Sequence, residues 1–447
     1  MEVIFWRLAA LLCTWASITT AHTQVLVVGG TGNLAFKYIW PAFEHISRKT
    51  DLQDLKLWAG SHGDQISGEK KILNHPVASL LNVRYAQLRS EEDYKSLAAR
   101  SEWEADAITG LVVYLAVPPA YFEEISRWVH VHLRPPSTKW IRIVVEKPFG
   151  RDLDNAEKLA ASLRTIYADD ELFLIDHYLG KRGVHGLRTF ISSNTAAYNR
   201  IWPTLSSIAI TMQEIDTVAG RTSFFDSVGI VRDVMANHLT LIWGLLNPDT
   251  ASTALRRLDL VQDYTFDHMT LGQYDGYTTD VHYELKKTTT TATAATTRFR
   301  HKHGNVSVVV AAGKGLSRRE VRVALQFGTT CQLVFVIQGP DGEYIEVCDV
   351  LADAVSPPPG WTLHAVERRR LIPESMKAVD AYTFLLEKVI RGDSSHFMHL
   401  DDILLGWRLW QPVLDKSDVS DNVITYPLGD VHFLQSVDDS EAIRDEL

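Results

Sequence analysis

The chain is 447 residues long, 46% apolar and 22% charged, which is ordinary globular material sufficient for two cores. A formal net charge of -10 excludes a surface that wraps nucleic acid, because such binding needs a clustered basic face to displace counterions from phosphates. A small anionic substrate is still allowed, since it needs only a local basic pocket.

Residues 1–21 read as a secretory signal peptide, with one cation before Leu8, a mostly apolar run from Leu8 to Ala16, and small residues Thr19, Thr20 and Ala21 suited to cleavage. A buried first helix is the competing reading, disfavoured because the apolar run is short. No other segment approaches the roughly 18 apolar residues of a membrane span. From Gln24 the pattern is strand, glycine turn, helix: Val25 to Val28 runs into Gly29-Gly30-Thr31-Gly32, then an amphipathic stretch through Ile46. Apolar runs at Leu55 to Ala59, Gly110 to Val117 and Trp140 to Val145 follow, separated by helical patterns such as Ser90 to Arg100 and Tyr121 to Leu133. This alternation predicts a Rossmann-like, doubly wound α/β domain over residues 22–175.

Beyond it, residues 176–440 read as an α+β domain with a large, mainly antiparallel sheet. Its strands are expected at Ser206 to Glu214, Val306 to Ala312, Val321 to Phe327, Gln332 to Ile337 and Tyr344 to Val350. Thr288 to Thr297 is a Thr/Ala tract without a hydrophobic period and reads as an exposed loop elongation. Asn305-Val306-Ser307 is a glycosylation sequon. A turn at Gly339-Pro340-Asp341-Gly342 predicts a hairpin that sets Cys331 near position 350, with Cys348 only a diagonal neighbour, so two buried thiols are expected rather than a bridge. Residues 441–447 form a tail ending Arg444-Asp445-Glu446-Leu447, one conservative step from the Lys-Asp-Glu-Leu address that a retrieval receptor reads in the endoplasmic reticulum lumen.

Four segments carry candidate chemistry. Gly29 and Gly32 let the backbone approach a pyrophosphate at a helix N-terminus. Lys147, in Glu146-Lys147-Pro148-Phe149-Gly150, follows an apolar strand and points into the crevice where parallel sheets bind ligands; an ordinary surface lysine is the bland alternative. In Asp176-His177-Tyr178-Leu179-Gly180-Lys181, a helix starting here would put His177 and Lys181 on one face beside Tyr178, as donors to a dianionic phosphate. In Arg232 to His238, Asp233 and His238 fall roughly 140 degrees apart on a regular helix, so a carboxylate partner for His238 must come from elsewhere.

With Gly29-Gly30-Thr31-Gly32-Asn33-Leu34-Ala35, these segments stand in the order found in the glucose-6-phosphate dehydrogenase family, which the chain resembles from about Val25 to Leu414. Gly220 to Phe224, Val117-Pro118-Pro119 and Asp380-Ala381-Tyr382 are most similar to its luminal hexose-6-phosphate branch. The resemblance implies His238 as general base and Asp176 as the carboxylate that orients it. It implies His177, Tyr178 and Lys181 as a phosphate clamp, Glu214 and Asp233 as acceptors for sugar hydroxyls, Lys147 between sugar and nicotinamide, and Lys314 and Arg319 reaching toward the sugar. Gly29, Gly32, Asn33, Leu34, Ser61, Pro118 and Lys147 would hold the coenzyme, and no metal is needed.

Two departures matter. Asn33 stands where the family usually has aspartate, and Gly60 stands where cytosolic members place an arginine against the 2'-phosphate, which implies use of NADP with NAD also accepted. The residues after Leu414 are too few for the lactonase domain of the luminal animal enzyme, so the lactone is the expected product. The expected partners are glucose 6-phosphate or a related hexose 6-phosphate, a second copy of the chain, and the retrieval receptor, with no nucleic acid and no membrane span. A catalytically inactive luminal binding protein that retains the fold is the alternative.

Overall fold

The structure is a computed structural model that describes residues 22–434, apart from 50–51, 53, 104–106, 249–257, 368, 376 and 421. The signal-peptide reading of residues 1–21 and the retention signal in residues 441–447 lie outside the described residues. None of the described helices is long and apolar enough to cross a membrane.

The first sheet contains β1 (His22–Val28), β2 (Leu55–Ser61), β3 (Arg84–Gln87), β4 (Ile108–Leu115), β5 (Trp140–Glu146) and β6 (Leu172–Ile175). They lie in the order β3-β2-β1-β4-β5-β6, and every pairing is parallel. Val25, Leu26 and Val27 in β1 and Leu111 to Leu115 in β4 have no solvent exposure, as strands covered by helices on both faces should. The strand order reverses between β1 and its neighbours β2 and β4, so a crevice opens at their carboxyl ends.

The second sheet is larger. It contains β7 (Leu205–Gln213), β8 (Tyr264–Tyr274), β9 (Ala294–His301), β10 (Ser307–Gly313), β11 (Glu320–Phe327), β12 (Cys331–Gln338), β13 (Tyr344–Glu346), β14 (Trp361–Leu363), β15 (Arg370–Pro373) and β16 (Val423–Tyr426). Their order is β14-β15-β13-β12-β11-β7-β10-β9-β8-β16. Only β7 with β10 and β8 with β16 pair in parallel, so the sheet is mainly antiparallel.

Three expectations need correction. The Thr/Ala tract is a loop only over its first half, where Thr288 and Thr290 are exposed; its second half, from Ala294, enters β9, and Thr293 to Thr297 are almost wholly buried. Branched threonines suit a pleated sheet, and the Thr293 hydroxyl is satisfied by the backbone amide of Tyr274 and the Tyr426 phenol. The strand from Tyr344 stops at Glu346, and residues Asp349–Ala352 form a helical turn instead. Cys331 and Cys348 are bridged, with their Cα atoms 5.2 Å apart. The hairpin register pairs Val334 with Glu346, so the facing argument holds only while the ladder lasts; once the chain leaves it after Glu346, Cys348 turns inward toward Cys331.

The bridge closes a loop with a sequence separation of 17, a length for which cross-linking stabilises by about 3 kcal/mol. Replacing both cysteines with alanine is expected to lower the unfolding free energy by about that amount in urea titrations. Equal midpoints for both proteins under non-reducing conditions would mean that the bridge does not form.

Candidate active site

Two pairs of parallel strand ends build the site. In the first sheet Glu146 pairs with Ile175, so Lys147 and Asp176 leave the carboxyl ends of adjacent strands side by side. In the second sheet Gln213 pairs with Gly313, so Glu214 and Lys314 do the same. A helix spanning residues 231–239 lies between these pairs and carries Asp233 and His238.

That helix is a π-helix, a form whose backbone bonds run from i to i+5. Residues five apart therefore follow one another on the same side. Side-chain bonds keep the same stride, with Asn237 Nδ2 donating to the Arg232 carbonyl and Thr240 Oγ1 to that of Met235. The separation of Asp233 from His238 expected on a regular helix is thus corrected: both face the cleft, close enough to influence each other's ionisation.

His238 finds its carboxylate in Asp176. Nδ1 lies 2.7 Å and 2.8 Å from the two Asp176 oxygens, and both side chains are buried. Asp176 Oδ1 also accepts the Tyr178 amide at 2.9 Å, capping a short 3-10 turn over His177–Gly180. Burial alone would raise the Asp176 carboxyl, but the facing His238 outweighs it and holds the group below its ordinary value. Burial lowers His238 below the ordinary imidazole value, while Asp176 resists the shift. A neutral imidazole whose Nδ1–H is donated to a carboxylate keeps the Nε2 lone pair free to accept a proton.

The phosphate-clamp candidates are gathered beside this pair, although not on one helix face as expected. The 3-10 turn ends at Gly180 and Lys181 is the N-cap of the next helix, Arg182–Ser193, because Gly180 and Gly183 bring the backbone against Ala381 and Ile337. The His177 ring lies 4.8 Å and the Tyr178 ring 4.4 Å from His238, and Lys181 Nζ sits 4.3 Å from the centre of the Tyr178 ring. Burial drives His177 well below its ordinary value.

The remaining candidates form a chain of alternating charge. Lys147 Nζ donates to the Asp233 carbonyl at 2.8 Å and lies 3.5 Å from Oδ1. Lys314 pairs with Glu214 and lies 3.7 Å from Asp233 Oδ2, while Arg319 pairs with Asp216. Burial opposes ionisation of Asp233, but Lys147 and Lys314 prevail and keep its carboxyl below the usual value. Sequence reading missed Gln338, whose amide oxygen takes the Lys181 ammonium at 2.5 Å, and Tyr382, whose ring stacks on His177 with centroids 6.1 Å apart. A polar residue closing the apolar strand β12 was the available sign for Gln338.

The glycine turn closes the other end of the cleft. Gly29 adopts φ +88°, and a Cβ there would lie 2.1 Å from the Ala116 carbonyl oxygen. The amides of Gly29 and Gly30 bond to the Gly60 carbonyl, and the following helix begins at Asn33 and Leu34. Ser61 is the last residue of the flanking strand β2, and Pro118 stands three residues past the end of β4. Such a cradle, open at a helix N-terminus, fits a dinucleotide pyrophosphate. Asp176, His177 and His238 also bring three possible metal-binding atoms within 4.8 Å of one another, but the bond between Asp176 and His238 already occupies two of them.

Comparison with known proteins agrees with this geometry. Residues 61–186 match the model "Glucose-6-phosphate dehydrogenase, NAD binding domain", and residues 193–436 match "Glucose-6-phosphate dehydrogenase, C-terminal domain". The human GDH/6PGL endoplasmic bifunctional protein is 26% identical over 93% of this chain and 62% of its own length. The rabbit protein of the same name is 26% identical over 90% of this chain and 60% of its own. The chain thus spans about three fifths of these two relatives. Glucose-6-phosphate 1-dehydrogenase of Dictyostelium discoideum is 27% identical over 88% of both chains. A solved glucose-6-phosphate dehydrogenase in complex with its substrate shares the fold, with a TM-score of 0.76 at 24% identity over 94% of this chain and 97% of that one. Two consecutive domain models, the first of which includes the Asp176 turn and the second the helix that carries His238, place this chain in the glucose-6-phosphate dehydrogenase family.

Proposed function

We propose that the chain is an NAD(P)-dependent hexose-6-phosphate 1-dehydrogenase, which oxidises glucose 6-phosphate or a related hexose 6-phosphate at C1 to the 6-phosphogluconolactone. The observation that carries this reading is the buried bond between Asp176 and His238, at the junction of a glycine cradle and a cluster of cations. His238 Nε2 takes the proton of the anomeric hydroxyl, and Asp176 fixes the ring's tautomer and stabilises the imidazolium that forms. NADP bound at the cradle supplies the hydride acceptor. Lys181, with neutral His177 and Tyr178, holds the phosphate, while Glu214 and Asp233 accept sugar hydroxyls under the control of Lys314 and Lys147. Arg319 screens the outer edge of this pocket.

The cellular reading is luminal. It is supported by the leader and the Arg-Asp-Glu-Leu terminus, by the bridge between Cys331 and Cys348, which suits an oxidising compartment, and by relatives named endoplasmic. In that setting the enzyme generates luminal NADPH, forms a homodimer through the second sheet, is returned by the retrieval receptor, and carries a glycan on Asn305. That residue is exposed at the turn between β9 and β10.

Coenzyme choice follows from the end of β2. A side chain at Gly60 would need the space filled by Leu88, whose Cδ1 would lie 2.3 Å from the new Cβ. Gly60 itself offers no side chain to meet a 2'-phosphate, and Leu88 fills the space beside it. NADP and NAD are both expected to serve, with kcat/KM values differing by less than roughly a thousandfold, about 4 kcal/mol. Steady-state rates with each coenzyme check this, and a larger preference for NADP would reject it.

A general base must be unprotonated, so kcat/KM should fall on the acid side as His238 gains a proton, with a midpoint below the ordinary 6.5 because burial lowers this group. His238→Ala should abolish most turnover. Asp176→Asn should reduce kcat by roughly two to four orders of magnitude. It should also move the acid limb to still lower pH, because the carboxylate that supports protonation of His238 is gone. Turnover in His238→Ala equal to that of the native protein would remove the assigned base.

A further inference from the structure

Glu146 is a buried acid that the proposed mechanism leaves unused. It is the last residue of β5, immediately before Lys147, and is 8% exposed. One of its oxygens, Oε1, accepts from two phenols: Tyr114 at 2.5 Å and Tyr382 at 3.3 Å. Tyr114 belongs to β4 of the first sheet, whereas Tyr382 belongs to the helix Ala381–Arg391, contributed by the second half of the chain. That helix is held to the first half of the chain at two further points. Arg142 donates to the carbonyls of Val389 and Ile390 at 2.9 Å and 2.6 Å, and Lys49 pairs with Glu387. Glu146 therefore sits where the two halves of the molecule meet, one residue from the lysine that braces Asp233.

The groups that face it are Tyr114, Lys147, Asp176 at the end of β6, and Tyr382, with Asp402 of the helix Leu400–Asp418 lining the same small cavity. Burial and the Asp176 charge oppose its ionisation; the two phenols and Lys147 favour it. Burial prevails, and the carboxyl is pushed up to about 7. Tyr114 and Tyr382 are both driven above the ordinary phenol range, chiefly by burial, so they remain donors at every working pH.

We propose that Glu146 is a titratable positioning residue, whose ionised form gathers Tyr114 and Tyr382 onto one oxygen and so fixes the end of β5, and with it Lys147, against the coenzyme and the Asp233 helix. The proton lost from the carboxyl goes to solvent; no covalent step is involved. When the carboxyl is protonated on Oε2, that hydrogen needs an acceptor of its own, the two phenol bonds to Oε1 lose the assistance of the negative charge, and the hold on the strand end weakens. Coenzyme affinity is then lower below neutrality than above it. The inference rests on the assignment of Lys147 beside the nicotinamide, and its test does not require turnover.

The experiment measures NADP binding to the full chain by tryptophan fluorescence between about pH 6 and 8, a range bracketing the ordinary histidine value. The native protein is expected to bind several-fold more tightly as pH rises through this range. Glu146→Gln should bind with no step, and the protonated-carboxyl infrared band that titrates in the native protein should be missing from it. Tyr382→Phe keeps the acid but removes one donor to its charged form, so the step should move to higher pH. A native binding curve flat in pH, a step retained in Glu146→Gln, or a step moved downward in Tyr382→Phe would each overturn the proposal. Tight NADP binding with this pH step but no oxidation of any hexose phosphate would instead reject the dehydrogenase reading and leave Glu146 standing.

Discussion

A carboxylate taken out of water must be paired or it destabilises the fold, and Asp176 is taken out of water almost completely. It satisfies its oxygens with His238 Nδ1 and with the Tyr178 amide. Each partner imposes a requirement on the chain around it. The amide bond demands a tight 3-10 turn directly after β6, which presents His177 and Tyr178 to the same cleft. The imidazole bond demands that the helix from the second half of the chain lie across the end of the first sheet. Removing His238 alone would leave the Asp176 carboxylate buried with only the Tyr178 amide, a loss of several kcal/mol. The pair thus registers the two sheets against each other while it prepares a base.

The π-helix answers a conflict that a regular helix could not resolve. Asp233 must face Lys147 and Lys314, and His238 must face Asp176, yet on an α-helix the two would point well apart. Widening the turn to a five-residue stride brings both to one side. The distortion lies between a glycine kink at Gly229, with φ +69°, and the regular helix that resumes at Thr240. Its cost is local, because Asn237 and Thr240 side chains satisfy carbonyls within the widened segment. Single-turn departures of this kind gather at functional sites for this reason.

The same features explain what was legible in the residues. Strand, glycine turn and helix at Val25 to Ile46 follow from hydrophobic period and backbone freedom alone, and the alternating pattern to residue 175 follows in the same way. The partnership of His238 with Asp176 did not come from spacing; it came from the motif resemblance, since the two residues stand 62 positions apart. Local rules failed where tertiary contacts overrode them. The Thr/Ala tract has no apolar period, yet β8 and β10 on either side bury its second half, from Ala294, in β9. Cys348 was set aside by extrapolating a ladder that ends at Glu346. Gln338 and Tyr382 belong to elements whose partners are distant in sequence, so no window of residues could reveal their contacts with the Asp176 turn.

Under the proposed function, the charge pattern along the cleft orients the substrate. Around Asp233 each cation has an anionic neighbour, Lys147 and Lys314 against Asp233 and Glu214, so that region is nearly neutral and rich in both donors and acceptors, as a set of sugar hydroxyls requires. At the proposed clamp, Lys181 is bonded to the uncharged amide of Gln338 and lies beside the His177 and Tyr178 rings, and among the described residues it forms no ion pair. A dianion gains most there, through charge-assisted bonds of roughly twice the ordinary strength. On the proposed function, a sugar anchored there by a phosphate on its terminal carbon lays its opposite end toward His238. Regioselectivity in such a cleft follows from where charge is left uncompensated, and it needs no recognition of the anomeric centre itself.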